Sequence, residues 1–147
     1  ADIARELNKE KITWAIGASL MLYLRGIVTQ FHDIDIMVAE CDAERAEKAI
    51  CRIGKEQPRN GTAQYKTRYF IEFTVDGVDV DLMAGFVIVL DGTDHECPLL
   101  PEDITETRIV NGENVPLHSA ARWAEYYRLM GRDAKAGMVK EWIDRAV

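Results

Sequence analysis

Two short stretches that alternate acidic and aliphatic residues constrain this chain more than any other feature. Asp33-Ile34-Asp35-Ile36-Met37-Val38 and Gly77-Val78-Asp79-Val80-Asp81-Leu82-Met83 both carry the period of two that belongs to a β-strand. Residues i and i+2 of a strand point the same way. Asp33 and Asp35 therefore share one face, with Ile34, Ile36 and Val38 on the other. Asp79 and Asp81 likewise share a face opposite Val78, Val80 and Leu82. If the two strands are neighbours in one sheet, three or four carboxylates meet on one patch. Bare carboxylates packed together repel and lose solvation, which is costly unless a cation joins them. Mg²⁺ or Mn²⁺, which favour oxygen donors, suit such a patch, with Asp33, Asp35, Asp79 and Asp81 as candidate ligands. The bland alternative is a solvated edge strand whose acids discourage aggregation.

Upstream of the first acidic strand lies Gly17-Ala18-Ser19, separated from Asp33 by thirteen residues. These small residues open a helix, where free backbone amides favour an anion. Gly17-Ala18-Ser19, the spacer, Asp33-x-Asp35 and a later strand acid together resemble the signature of the nucleotidyltransferase-fold superfamily. The resemblance is to minimal bacterial members, related to aminoglycoside and lincosamide nucleotidyltransferases and to the nucleotidyltransferases of toxin–antitoxin pairs. It spans Ile12 to Met83 by motif. One departure is alanine at the second place of the turn, where the family most often has glycine or serine.

The resemblance implies transfer of a nucleoside monophosphate from a nucleoside triphosphate, ATP foremost, to an acceptor hydroxyl, releasing pyrophosphate. It gives Gly17, Ala18 and Ser19 to the triphosphate and Asp33 and Asp35 to Mg²⁺. A third acid, Asp81 or its neighbour Asp79, holds the ion that activates the acceptor and takes the hydroxyl proton; Asp81 lies deeper in the apolar run. Lys66 and Arg68, just before the acidic hairpin, are candidates to reach the triphosphate, against the plainer reading of an exposed strand face. Arg132 and Lys135 resemble basic residues near the nucleotide in some relatives, although a cation-rich helix start is usually just solvated. Three readings of function stand: a transferase acting on a small molecule such as an antibiotic, one modifying a protein partner of toxin–antitoxin type, and a non-catalytic nucleotide and metal sensor. Three convergent acids favour catalysis.

The rest of the chain reads as an α+β domain: a mixed sheet flanked by helices on one side, with a helical C-terminal tail. Helices are expected over Asp2–Lys11, Ser19–Arg25 (apolar nearly all round, hence buried) and Ala43–Ile53, the last with Asp42 as N-cap. Strands are expected at Ile12–Ile16, Ile34–Ala39, Tyr65–Val75, Val78–Met83 and Phe86–Leu90, and a loop at Gln57–Gly61. Asp76-Gly77, Asp91-Gly92 and Asn111-Gly112 mark turns, the last inside a hairpin from Thr107 to Leu117. Ser119 to Ala146 reads as two helices broken near Gly131, with Trp123, Tyr126, Tyr127 and Met130 in the core.

At 147 residues the expectation is one domain, 1–147, its C-terminal helices covering about 118–147. A net charge of −7 argues against extended contact with nucleic acid but not against a nucleotide, whose charge a metal can neutralise. No apolar run is long enough to span a bilayer, and the polar start lacks a secretory core, so a cytoplasmic location is expected. Cys41, Cys51 and Cys97 have no metal-ligand spacing and read as reduced, mostly buried thiols. His32, His95 and His118 receive no role. A chain this short leaves its cleft to be completed by its own C-terminal helices or by a second copy, a homodimer.

Overall fold

The computed structural model describes residues 1–58 and 67–146. Its elements run α1 (Asp2–Lys9), β1 (Trp14–Gly17), α2 (Ala18–Leu24), β2 (Ile34–Val38), α3 (Ala43–Cys51), β3 (Lys55–Glu56), β4 (Tyr69–Val75), β5 (Val78–Ala84), β6 (Val87–Leu90), β7 (Thr93–Glu96), β8 (Ile104–Val110), β9 (Glu113–His118), α4 (Ala120–Leu129) and α5 (Asp133–Ala146). Seven strands form a mixed sheet in the order β3-β4-β5-β2-β1-β9-β8, and β6 and β7 make a separate hairpin. The β2–β5 and β1–β9 pairs are parallel, and the remaining pairs are antiparallel. The architecture is the α+β one expected, and the two acidic strands are indeed neighbours.

Local chemistry explains the hairpins. Asp76-Gly77, Asp91-Gly92 and Asn111-Gly112 each place two consecutive residues at positive φ, between +49° and +81°. That is the two-residue turn whose twist matches paired strands, and Asp-Gly or Asn-Gly enters it with little strain. The first of these turns sets the register of β4 against β5, and so decides what stands opposite each acid.

One face of the sheet is apolar: Ile71, Phe73, Val80, Leu82, Ile36 and Ile16 are all buried. Helices α1 and α3 cover it. Ala46, Ala49 and Ile50 of α3 pack inward, and the Tyr69 hydroxyl donates to Glu47. On α1, Asn8 accepts from the Trp14 indole at 2.9 Å. The other face carries the acids and is not bare. Helix α4 packs its Trp123 against Gly17 from the Asp35 side, so helices lie on both faces rather than one.

Other expectations shift in detail. Helix α2 buries only Met21 and Leu22, and Tyr23 is 43% exposed. Asp42 stands at the start of α3 without capping it: its carboxylate accepts instead from the Thr13 backbone and the Arg45 guanidinium. Cys41 and Cys51 are exposed, and only Cys97 is buried. Strand β4 begins at Tyr69; Tyr65, Lys66 and most of the expected loop around Asn60 lie outside the described residues. The break at Gly131 and the burial of Trp123, Tyr126 and Tyr127 are as the sequence suggests. Among the described residues no helix is long and apolar enough to cross a membrane.

Candidate active site

Parallel pairing of β2 with β5 sets Ile34 beside Val80, Asp35 beside Asp81 and Ile36 beside Leu82. Because register partners point to the same face, Asp35 and Asp81 stand side by side across the ladder. Their carboxyl groups come within hydrogen-bonding reach. Asp33 lies in the bend just before β2, and Asp79 is exposed two residues ahead of Asp81. Both are close enough to act on the central pair electrostatically. Strand β1 runs on the other side of β2, with Gly17 as the partner of Asp35. The small-residue turn and the acids are thus adjacent because of strand order, not sequence proximity.

The electrostatics follow from crowding. Burial pushes the Asp35 pKa up to about 8; the charge and hydrogen bond of Asp81, then Asp33, add to the rise, and Lys135 opposes it. Asp81 rises to about 6, chiefly through burial, with Asp33, Glu72 and Asp79 adding repulsion and the hydrogen bond from Asp35 working against it. The two carboxyls share a proton as a unit near neutral pH, as two like charges in a half-buried site must. The pair presents its carboxylate oxygens on one face of the sheet. Its oxygen donors fit a hard divalent ion, although among the described residues no three His, Cys, Asp or Glu side chains stand arranged together to hold one.

Ala18 occupies the left-handed region at φ +50°, which an L-residue with a Cβ rarely adopts. Gly17 has no room for a side chain: a Cβ there would come within 2.6 Å of the Trp123 ring. Ser19 is half-buried in the first turn of α2. From the C-terminal side, Lys135 at the start of α5 is close enough to lower the Asp35 pKa, and its ammonium lies 5.3 Å from the Tyr127 ring centre, with Arg132 5.1 Å from the same ring.

Two expected residues are not brought in. Lys66 lies outside the described residues. Arg68 precedes β4, and its backbone amide donates to the Gly85 carbonyl beyond the end of β5, roughly four residues or 13 Å along the strand from Asp81. Its guanidinium is held by Glu40 and Glu96, so it does not face the acids. Glu72 is the residue that motif reading missed: it pairs with Asp81 in register on the acidic face. A signal existed, since a two-residue turn at Asp76-Gly77 makes partners on β4 and β5 sum to the same number, which sets 72 against 81.

A family model described as aminoglycoside-2''-adenylyltransferase matches residues 1–142. Among solved structures, a protein from Thermotoga maritima (TM1012), provisionally described as a nucleotidyltransferase, is 26% identical with a TM-score of 0.71; the match covers 97% of this chain and 89% of that one. The solution structure of the antibiotic-resistance factor ANT(2'')-Ia is 15% identical, with a TM-score of 0.58 over 99% of this chain and 89% of that one. The crystal structure of ANT(2'')-Ia with adenylyl-2''-tobramycin is 13% identical, with a TM-score of 0.58 over 99% and 95%. These last two establish a shared fold. No curated protein matches the chain by sequence.

Proposed function

The chain belongs to the aminoglycoside-2''-adenylyltransferase family and is a nucleotidyltransferase, and from that premise we propose that it moves a nucleoside monophosphate from a triphosphate, ATP foremost, to a hydroxyl of a small polycationic acceptor of the aminoglycoside type. The observation that carries this reading is the register that sets Asp35 beside Asp81 and beside the Gly17 turn. It is supported further by the acids Glu72 and Asp79 around the pair, which favour a cationic acceptor over an anionic one.

Asp35 and Asp81 would hold the divalent ion, Mg²⁺ or Mn²⁺, with Asp33 and Asp79 near enough to act on the pair. Once bound, the ion neutralises charge on the phosphates. The acceptor oxygen attacks the α-phosphorus, and the bond to the bridging oxygen breaks, with pyrophosphate leaving on that electron pair. Asp81 takes the hydroxyl proton as general base. Lys135, which acts on Asp35 electrostatically, and the amides of the Gly17-Ala18-Ser19 turn would hold the phosphates in line. A lysine ammonium serves there as a compact point charge.

The test is incubation with labelled ATP and Mg²⁺ across aminoglycosides, lincosamides and candidate protein partners. Label transfer to an aminoglycoside, abolished in Asp35→Asn and Asp81→Asn variants that still fold, is the expected result. Label on a protein alone moves the acceptor to the toxin–antitoxin type. Wild-type turnover in either variant refutes the assignment.

A further inference from the structure

Along α5, Lys135, Met138, Trp142 and Arg145 fall at i, i+3, i+7 and i+10, the spacing of one helical stripe. The stripe starts near the acid pair, since Lys135 acts electrostatically on Asp35. Its far half closes a cavity of about 300 Å³ lined by Met138, Trp142 and Arg145 from α5 and by Gly26 and Ile27 from the end of α2. Helix α2 itself begins at the Gly17 turn beside Asp35, so both walls of this groove lead from the carboxylates to the cavity. Seven residues of helix separate Lys135 from Trp142, about 10 Å. That is the reach of a ribose and a base from a phosphate seated at the turn.

The lining selects among occupants. An indole, a thioether and a branched alkyl chain offer flat apolar surface to a ring, and volumes near this size are at the small end of ligand cavities. Arg145, its side chain 73% exposed, brings only donors to the rim; its ion pair with Glu141 at 3.7 Å is exposed and easily exchanged. Cations therefore mark both ends of the stripe, while the acids Glu72, Asp76 and Asp79 lie on the opposite side of the Asp35–Asp81 pair, along the β4–β5 hairpin. A polycationic acceptor is drawn to the hairpin side. A triphosphate with a neutral base fits the reverse.

Building on the proposed nucleotidyl transfer, we infer that the cavity between the end of α2 and the Met138–Trp142–Arg145 face of α5 is the nucleobase subsite. The base stacks against Trp142, and Arg145 donates to acceptor atoms on its edge. The experiment titrates wild type, Met138→Glu, Trp142→Ala and Arg145→Gln calorimetrically, in Mg²⁺, with the non-reacting α,β-methylene analogues of ATP, GTP, CTP and UTP, and separately with inorganic tripolyphosphate, which has no base. Wild type is expected to bind at least one nucleotide analogue roughly tenfold or more tightly than tripolyphosphate, the range of one stacked base. Trp142→Ala and Met138→Glu should erase that preference and leave tripolyphosphate affinity unchanged, with Arg145→Gln losing part of it. Trp142 packs on the core, but Met138 is 45% exposed, so the Met138→Glu variant keeps the test decisive if the other fails to fold. Equal binding of nucleotide and tripolyphosphate by wild type, or an undiminished preference in Met138→Glu, overturns the subsite while leaving nucleotidyl transfer standing. Failure of wild type to bind either ligand overturns both.

Discussion

Replacing Asp35 by asparagine should abolish turnover and, in the absence of divalent ions, make the protein more stable. The carboxyls of Asp35 and Asp81 lie within hydrogen-bonding reach, half-buried between neighbouring strands. Two full charges about 4 Å apart at an effective dielectric of about 20 repel by roughly 4 kcal/mol. Proton sharing and partial solvation reduce this, so the expected gain is about 1–2 kcal/mol. Asparagine is nearly isosteric, and its amide can donate to Asp81, so the hydrogen bond survives. For a chain of this size the gain corresponds to a rise of roughly 2–8 °C in Tm. The sign with pH follows from the raised pKa values. Between the unfolded value near 4 and the folded value, the native state holds more protons than the unfolded chain, so wild-type stability falls as pH rises through that window. The advantage of Asp35→Asn should therefore be largest near pH 8 and vanish toward pH 4. Thermal melts in EDTA at a series of pH values measure it. A variant less stable than wild type at pH 8, or an offset independent of pH, would refute the crowded-acid account of the site.

Two further outcomes follow from the packing around the site. Gly17→Ala forces a methyl group to within 2.6 Å of the fully packed Trp123 ring and should cost about 1–3 kcal/mol, read as a lowered urea midpoint; a neutral effect would mean that α4 does not rest on the turn. Burial holds the His118 pKa down, at about 4, well under its unfolded value, so the native state binds fewer protons than the unfolded chain between about pH 4 and 6.5. Stability from this residue is full above that window and falls as pH drops through it. His118→Asn should flatten the acid limb, most clearly in the Asp35→Asn background, where the opposing trend of the acid pair is absent. An acid limb unchanged by the substitution would refute it.

The acidic face was legible because alternation at period two survives any tertiary context, and the Asp-Gly and Asn-Gly turns because two consecutive positive φ angles admit few other residues. From those two signals alone the neighbourhood of Asp81 could be counted out, Glu72 included. The rest depended on contacts that no local pattern encodes. Strand β1 pairs with β9 a hundred residues away and with β2 on its other side, where Gly17 stands beside Asp35. Arg68 looked like a phosphate ligand by proximity to the hairpin, yet Glu40 and Glu96, distant in sequence, draw its guanidinium elsewhere. Asp42 had the right type and place for a cap, and Thr13 and Arg45 claimed its oxygens.

Lys135 shows how the long-range part changes the chemistry. As one cation at a helix start it looks solvated, and its significance comes only when α5 folds back so that it acts electrostatically on Asp35. That single approach breaks the symmetry of an otherwise acidic patch. Anionic phosphates can be held on the α5 side of the Asp35–Asp81 pair, and a cationic acceptor is favoured on the side of Glu72 and Asp79. An in-line displacement needs its nucleophile and leaving group on opposite sides of the phosphorus. On the proposed reading, Lys135 on one side of the central carboxylates and Glu72 and Asp79 on the other would sort the two substrates into that arrangement before either touches the other.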